Sequence, residues 1–340
     1  MVVSVESQAS DDNCLSSEAA VKKPAIGATA PPSVFPRDGS GIDRFDKVIS
    51  GPIFRLQLGI VVEYLLSVPG CFFGMPSTMM IGPGLLAVSA TRTSNENRKL
   101  PMMILGIIIA TLILRWGCCH WTSTLKWGFY GRRMFLVAPF LGTALTYAIA
   151  DDPIAQYAGN FYLTSWLLVL IPVLFLKRVT HRRRPIASAV VHLGESSALA
   201  GRQLKSLDWI CHMLRTGDSN ASFPSGDVAG SVTFAYPLWR YHQGGASSVG
   251  VVAVIIVLLS AFGRIYWHAH HALDVIVAMI IAFYCCSILD ATLSSSFHTE
   301  SGNNTYPIVA WYHPYIAMMG VIVQQKLLPQ KFVGWKKKSK

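Results

Sequence analysis

The sequence is poor in charge. Only 14% of its 340 residues are Asp, Glu, Lys or Arg, while 52% are apolar. So little charge cannot coat a water-soluble domain of this length, and it rules out the highly charged, weakly apolar composition of a disordered chain. Acidic residues are scarcer than basic ones, 18 against 29, which gives a formal net charge of +11. Nucleic-acid binders share that excess. Here the basic residues lie in short loops between apolar runs, where membrane topology and anionic lipid headgroups account for them, so no nucleic-acid partner is expected. Cysteine is present but unpatterned. The seven residues contain no CxxC pair, and Cys118-Cys119 and Cys285-Cys286 are adjacent pairs. That excludes a disulfide framework and a zinc site, and neither a metal nor a cofactor is expected. Cys118 and Cys119 follow an apolar run, a position open to palmitoylation. There is no internal repeat. No apolar core follows Met1, so no signal peptide is read, and residues 1–50 are expected to form a disordered tail rich in Ser, Ala, Asp and Pro.

What the chain has instead is a series of long apolar runs. Residues 52–90 are almost continuously apolar, broken at Pro69-Gly70 and at Gly74-Met75-Pro76. They fit one tilted span with a re-entrant piece, or two short spans. Glu63 lies inside this run, and a structural hydrogen-bonding role is favoured over a place on a substrate path. Further spans are expected at Leu100–Leu114, Met134–Ala150, Tyr157–Leu176, Ser225–Trp239, Val249–Phe262 and Ala272–Leu289. Residues 306–328 are apolar but carry Pro307, His313 and Pro314, which suits an interfacial segment or a poor span. The expected organisation is the tail, a transmembrane domain over 51–292, and a C-terminal segment over 293–340 with an apolar stretch and a basic end.

Three polar stretches interrupt the apolar pattern. Gly263–Asp274 reads GRIYWHAHHALD. His270 and Asp274 are four apart and share a helix face, so the carboxylate can hold the imidazole in one tautomer and leave its other nitrogen free to attack. Arg264 adds a planar cation suited to phosphate. Lys177–Pro185 reads KRVTHRRRP, a crowd of cations that repel one another unless an anion sits among them. Ser222–Gly230 reads SFPSGDVAG, with Ser225 placed as an N-cap and Gly226 permitting close approach to a helix N-terminus that can bind an anion. Each stretch has a plainer reading: a membrane-interface boundary, an orientation-setting loop and a capped span start. What joins them is sidedness. One loop separates the lysine stretch from the serine stretch, and two spans separate the serine stretch from the histidine stretch. An even number of crossings places all three on one membrane face, which favours a single phosphate site.

In these motifs the chain resembles the phosphatidic acid phosphatase type 2 superfamily, whose helical core is shared with vanadium haloperoxidases. The family pattern KxxxxxxRP, PSGH, SRxxxxxHxxxD is met by Lys177…Arg184-Pro185, Pro224-Ser225-Gly226-Asp227 and Gly263-Arg264…His270…Asp274. The resemblance covers about residues 134–290, with the catalytic motifs at 177–274. It implies an all-α, multi-span transmembrane bundle. It also implies a lipid phosphatase acting on a phosphate monoester or diphosphate, phosphatidate by default, without a metal. Lys177, Arg184 and Arg264 would bind phosphate oxygens, helped by Ser225 and Gly226. His270 would be the nucleophile and Asp274 its orienting carboxylate. Two positions depart from the pattern. Gly263 stands where the family has Ser. Asp227 stands where the family has the histidine that protonates the leaving oxygen. Asp227 could be that acid, could anchor a site arginine instead, or could leave the task to a good leaving group such as a diphosphate. His181, His212, His268 and His271 are candidate substitutes. A sphingolipid-synthase-type transferase and a non-catalytic lipid-phosphate binder are the competing readings.

The expected partners are a lipid phosphate and the bilayer, and the sequence leaves the oligomeric state open. Lys337-Lys338-Ser339-Lys340 resembles a dilysine retrieval signal, which suggests an endoplasmic reticulum membrane protein with a lumenal site. Asn220-Ala221-Ser222 is a glycosylation sequon beside the site.

Overall fold

Among the described residues the longest helix, Pro153–Thr180, has five other helices packed against it. The computed structural model describes residues 41–73, 76–90, 127–150, 153–180, 182, 184–185, 221–241, 246–295 and 312–327. Among these residues there are nine helices and no strand: α1 (Gly41–Arg55), α2 (Ile60–Phe72), α3 (Pro76–Ala90), α4 (Trp127–Ile149), α5 (Pro153–Thr180), α6 (Gly226–Tyr241), α7 (Ala246–Tyr266), α8 (Ala272–Ser295) and α9 (His313–Leu327). The chain is therefore the all-α bundle that its composition predicts.

Pro153 opens α5 at the position where a missing N–H costs nothing, and apolar residues then continue to Leu176. At 28 residues α5 is about 42 Å long, more than the ~30 Å hydrocarbon thickness, so its basic last turn can clear the membrane. It packs against α3, α4, α6, α8 and α9. Among the described residues three helices are long and apolar enough to cross a bilayer, within Ile154–Thr180, Val249–Tyr266 and Ala272–Leu293. The expected span at Met134–Ala150 overlaps α4, which ends one residue earlier, and that at Ser225–Trp239 overlaps the 16-residue α6, which starts one residue later. The expected span Leu100–Leu114 lies outside the described residues.

Residues 52–90 contain two short helices, α2 and α3, with 13 and 15 residues. α3 is buried against α4 and α5, whereas α2 exposes Ile60, Val61, Val62, Tyr64 and Leu65. Glu63 is fully buried and accepts a 2.5 Å hydrogen bond from the Tyr266 hydroxyl, tying α2 to the end of α7. This contact supports the structural role for Glu63. α9 occupies the centre of the 306–328 run and packs on α5 and α4.

Small residues set the helix spacing. A Cβ at Gly142 in α4 would lie 2.1 Å from the Met79 carbonyl oxygen of α3. A Cβ at Gly230 in α6 would lie 2.4 Å from the Phe73 carbonyl oxygen and 2.6 Å from Nε1 of Trp166. The Trp166 indole itself donates to that carbonyl at 3.2 Å. Close backbone approach through glycine is how helices gain van der Waals contact where lipid offers no hydrophobic drive between them.

One boundary is corrected. Helix α1 begins at Gly41, inside the stretch 1–50 that composition assigns to a disordered tail. Polar and proline-rich residues dominate that stretch on average and mask a periodic segment at its end. Residues 1–40 lie outside the described residues.

Candidate active site

The three polar stretches meet at one end of the bundle. Lys177 lies in the last turn of α5, with Arg182 and Arg184 just beyond. Ala221–Ser225 leads into α6, Arg264 lies in the last turn of α7, and Asp274 in the first turn of α8. Main-chain bonds join the pieces. The Ser222 N–H donates to the Arg182 carbonyl at 2.6 Å, and the Ser225 N–H to the Asp274 carbonyl at 3.0 Å. The Lys177 ammonium donates to the Ala221 carbonyl at 3.1 Å. Between α7 and α8 the chain folds back on itself. The N–H groups of Ala269 and His270 both point to the Arg264 carbonyl, at 3.0 and 3.2 Å. His268 takes a left-handed φ of 55° to complete this turn, a conformation histidine tolerates better than most side chains.

His270 is almost fully buried, and its two ring nitrogens have different partners. Nδ1 lies 2.7 Å from the Ser222 carbonyl oxygen, which can only accept. Nε2 lies 3.2 Å from Nη2 of Arg264, which can only donate. Together they fix the tautomer: the proton is on Nδ1 and the lone pair on Nε2. Burial holds the imidazole's proton affinity well below its ordinary range. The Asp274 carboxylate opposes that shift, and Arg264, Arg184 and Lys177 reinforce it. The ring is thus neutral, with an available lone pair beside a guanidinium, as a nucleophile toward an anionic phosphorus requires.

Asp274 is completely buried, with one oxygen 3.7 Å from His270 Nδ1. Its closer partners are Nη1 of Arg182 at 2.7 Å and the His271 N–H at 2.9 Å. The short bond at Nδ1 is therefore made by the Ser222 carbonyl, and Asp274 acts on the ring from a longer distance. Neither Ser222 nor Arg182 was singled out by sequence pattern. A carbonyl has no side-chain signature, and Arg182 is one of three consecutive arginines.

Ser225 is buried at the N-cap of α6, with its hydroxyl 3.5 Å from the Val228 N–H. A Cβ built at Gly226 meets no heavy atom within 4 Å, so the space over this helix start is open to a ligand. Asp227 turns to Arg264, with 2.8 Å between carboxylate and guanidinium. His268 and His271 both lie against the Phe54 ring of α1, at 4.3 and 6.4 Å between centroids. His181 and His212 lie outside the described residues.

A helical membrane bundle carrying this imidazole and its surrounding guanidinium and ammonium groups defines the class of the chain. Residues 158–294 match the family model of the PAP2 superfamily, so this segment is similar to that superfamily. No curated protein and no solved structure matches the chain.

Proposed function

We propose that the protein is a lipid phosphatase that hydrolyses a phosphate monoester or diphosphate of a membrane lipid through a phosphohistidine on His270. The observation that carries this reading is the tautomer of His270, with Nε2 unprotonated next to Arg264. In the first step Nε2 bonds to phosphorus while the bond to the leaving oxygen breaks. Lys177, Arg184, Arg264 and the start of α6 at Ser225-Gly226 carry the charge on the remaining phosphate oxygens. Nδ1–H stays on the Ser222 carbonyl, and Asp274 offsets the positive charge the ring gains. In the second step water attacks the phosphohistidine, Nε2 leaves, and inorganic phosphate forms with the water proton passing to solvent or to the released phosphate. A diphosphate substrate suits the site especially well, because its leaving group is already a stable anion and needs no proton from Asp227. The donor set requires no metal. The proposed compartment is the endoplasmic reticulum with the site lumenal, and modification of the Asn220 sequon would report that sidedness.

A second reading is favoured by the ion pair between Asp227 and Arg264. If that carboxylate occupies the guanidinium permanently, the site binds lipid phosphates without turning them over. One screen separates the two. Purified protein is offered lipid phosphates and diphosphates without an acceptor, with and without chelator, and His270→Ala serves as the blank. Release of inorganic phosphate above the blank and insensitive to chelator supports the phosphatase. Silence from wild type together with activity in Asp227→His supports the binder.

A further inference from the structure

Helix α1 carries an apolar stripe on the outside, while Ile53 and Phe54 near its end pack inward. Ile42, Phe45, Ile49, Pro52 and, just past its end, Leu56 recur at alternating spacings of three and four, which is one stripe of a helix, and all are exposed. Val48 beside them is 73% exposed. Arg44, Lys47 and Arg55 flank the stripe and are exposed as well. The polar side faces inward. Asp46 and Ser50 are completely buried against the start of α8. Asp46 accepts from the Leu273 N–H at 2.9 Å, and the Ser50 hydroxyl accepts from the Ala272 N–H at 2.9 Å. Two of the N–H groups that open α8 are therefore capped from another helix. Asp46 also pairs with Nη2 of Arg182, whose Nη1 holds Asp274. Asp43 adds a weaker contact to the same guanidinium at 3.9 Å. A continuous polar path thus runs from α1 through Arg182 to the carboxylate beside His270.

An apolar stripe with basic flanks is the pattern of a helix lying in the plane of a membrane surface. Its position agrees. α1 leads directly into α2, whose exposed Ile60, Val61, Val62 and Leu65 continue the apolar surface toward the hydrocarbon. We propose that α1 is seated on an anionic phospholipid leaflet on the catalytic side, with its apolar stripe among the acyl chains and Arg44, Lys47 and Arg55 on the headgroups. This seating holds Asp46 and Ser50 against α8. Asp46 and Arg182 are then positioning residues for Asp274, and the geometry around His270 depends on the bilayer surface. The catalytic half of this inference rests on the phosphatase reading; the docking half does not.

The test uses the full chain in vesicles of phosphatidylcholine, with and without phosphatidylglycerol. Phe45 is replaced by benzoylphenylalanine and irradiated, and the adduct is identified by mass spectrometry. Phospholipid adducts on the residue-45 peptide, more abundant with phosphatidylglycerol, are expected. Adducts to other parts of the protein, or none, overturn the docking. Turnover is then measured with a lipid phosphate. Asp46→Asn is expected to lower kcat by about 100-fold, as a small misplacement of a reacting group does, while KM stays within about twofold. Asp46→Glu should recover part of the loss. Val48→Asp is on the exposed stripe and outside the core, so its fold is retained, and it should lower both lipid crosslinking and kcat. If Val48→Asp and Asp46→Asn both turn over at the wild-type rate, the coupling is wrong. Wild type that crosslinks to lipid yet releases no phosphate overturns the proposed function alone. Active protein that never crosslinks overturns this inference alone.

Discussion

The Asp227 carboxylate lies 2.8 Å from the guanidinium of Arg264, the same guanidinium whose Nη2 reaches Nε2 of His270. The side chain at the position where the family motif has histidine is here engaged with a cation. In this arrangement the carboxylate fixes the arginine that faces His270.

The first prediction follows from leaving groups. A general acid contributes about 10²–10⁴-fold, so its loss should be felt on alkyl monoesters and hardly at all on diphosphates. Wild type should prefer a lipid diphosphate over the matching monophosphate by at least ~10²-fold in kcat/KM. Asp227→His should narrow that ratio by tenfold or more, chiefly by raising monoester turnover. Steady-state kinetics on the paired substrates checks it. A wild-type ratio near one would mean that Asp227 works as the acid after all.

The second concerns acid. Burial keeps His270 neutral in the folded protein, and His271 is shifted in the same direction by burial and by Arg182. In the unfolded chain each would titrate near its ordinary value of about 6.5. Below that value the unfolded state binds protons the folded state refuses, so stability falls as pH falls, while above it these histidines contribute no slope. One pH unit below the unfolded pKa the loss approaches about 1.4 kcal/mol for His270, and His271 adds to it in the same direction. Melting temperature in detergent should therefore drop between about pH 7 and pH 5.5, and His270→Gln should flatten part of that drop. The acid limb of kcat/KM assigned to His270 should also lie below the usual histidine range. A pH-independent melting temperature across this interval would contradict a buried neutral His270.

How much of this was legible in the sequence depends on what carries each contact. The gathering of Lys177, Arg184, Ser225, Arg264 and His270 at one end of the bundle was legible from spacing, because span ends place them at one face regardless of fine geometry. The bonds that set their chemistry were not. The Ser222 carbonyl that fixes the His270 tautomer is main chain, and any residue at position 222 would present one. Asp46 and Ser50 are more than 200 positions before α8 in the chain, and their stretch reads as tail because most apolar residues of α1 face outward rather than toward a core. Arg182 could be distinguished from its neighbouring arginines only by the three-dimensional meeting with Asp46 and Asp274. The partner of Glu63 was equally hidden, although its burial in an apolar run already marked it as needing one.

The third prediction tests the helix spacing. Gly230 allows α6 to approach the Phe73 carbonyl and the Trp166 indole, where an added methyl would sit 2.4 and 2.6 Å away. Main chain cannot yield as a flexible side-chain tip can. Gly230→Ala should cost about 1–3 kcal/mol through overpacking, seen as a lower melting temperature in detergent. Gly226→Ala, with no heavy atom within 4 Å of the new Cβ, should melt like wild type yet bind inorganic phosphate more weakly, because the methyl enters the space left for the anion. Equal melting temperatures for wild type and Gly230→Ala would show that the close approach is not needed.

The last prediction concerns the tie between Tyr266 and Glu63. Tyr266 follows Arg264 by two residues and is fully buried, and its hydroxyl donates at 2.5 Å to a carboxyl group that is also fully buried. The contact joins α2 to the end of α7, where the backbone turns into the His270 loop. Tyr266→Phe keeps the ring and its packing and deletes only the donor, so any effect belongs to the hydrogen bond. Removing one partner from a buried polar contact costs about 1–3 kcal/mol, more than the net gain of forming it, because the remaining group loses solvation without recompense. Glu63→Gln keeps an acceptor for the tyrosine and should cost less than Glu63→Leu, which removes that acceptor. Because α7 carries Arg264, the loss should reach the site as well: Tyr266→Phe is expected to raise the KM for lipid phosphate several-fold while leaving the leaving-group preference set by Asp227 unchanged. Thermal melts of the three variants, with the diphosphate-to-monophosphate ratio measured for Tyr266→Phe, check both halves. A Tyr266→Phe protein with wild-type stability would show that the hydroxyl is not what holds α2 to α7, and the role of Glu63 would have to be sought along the substrate path.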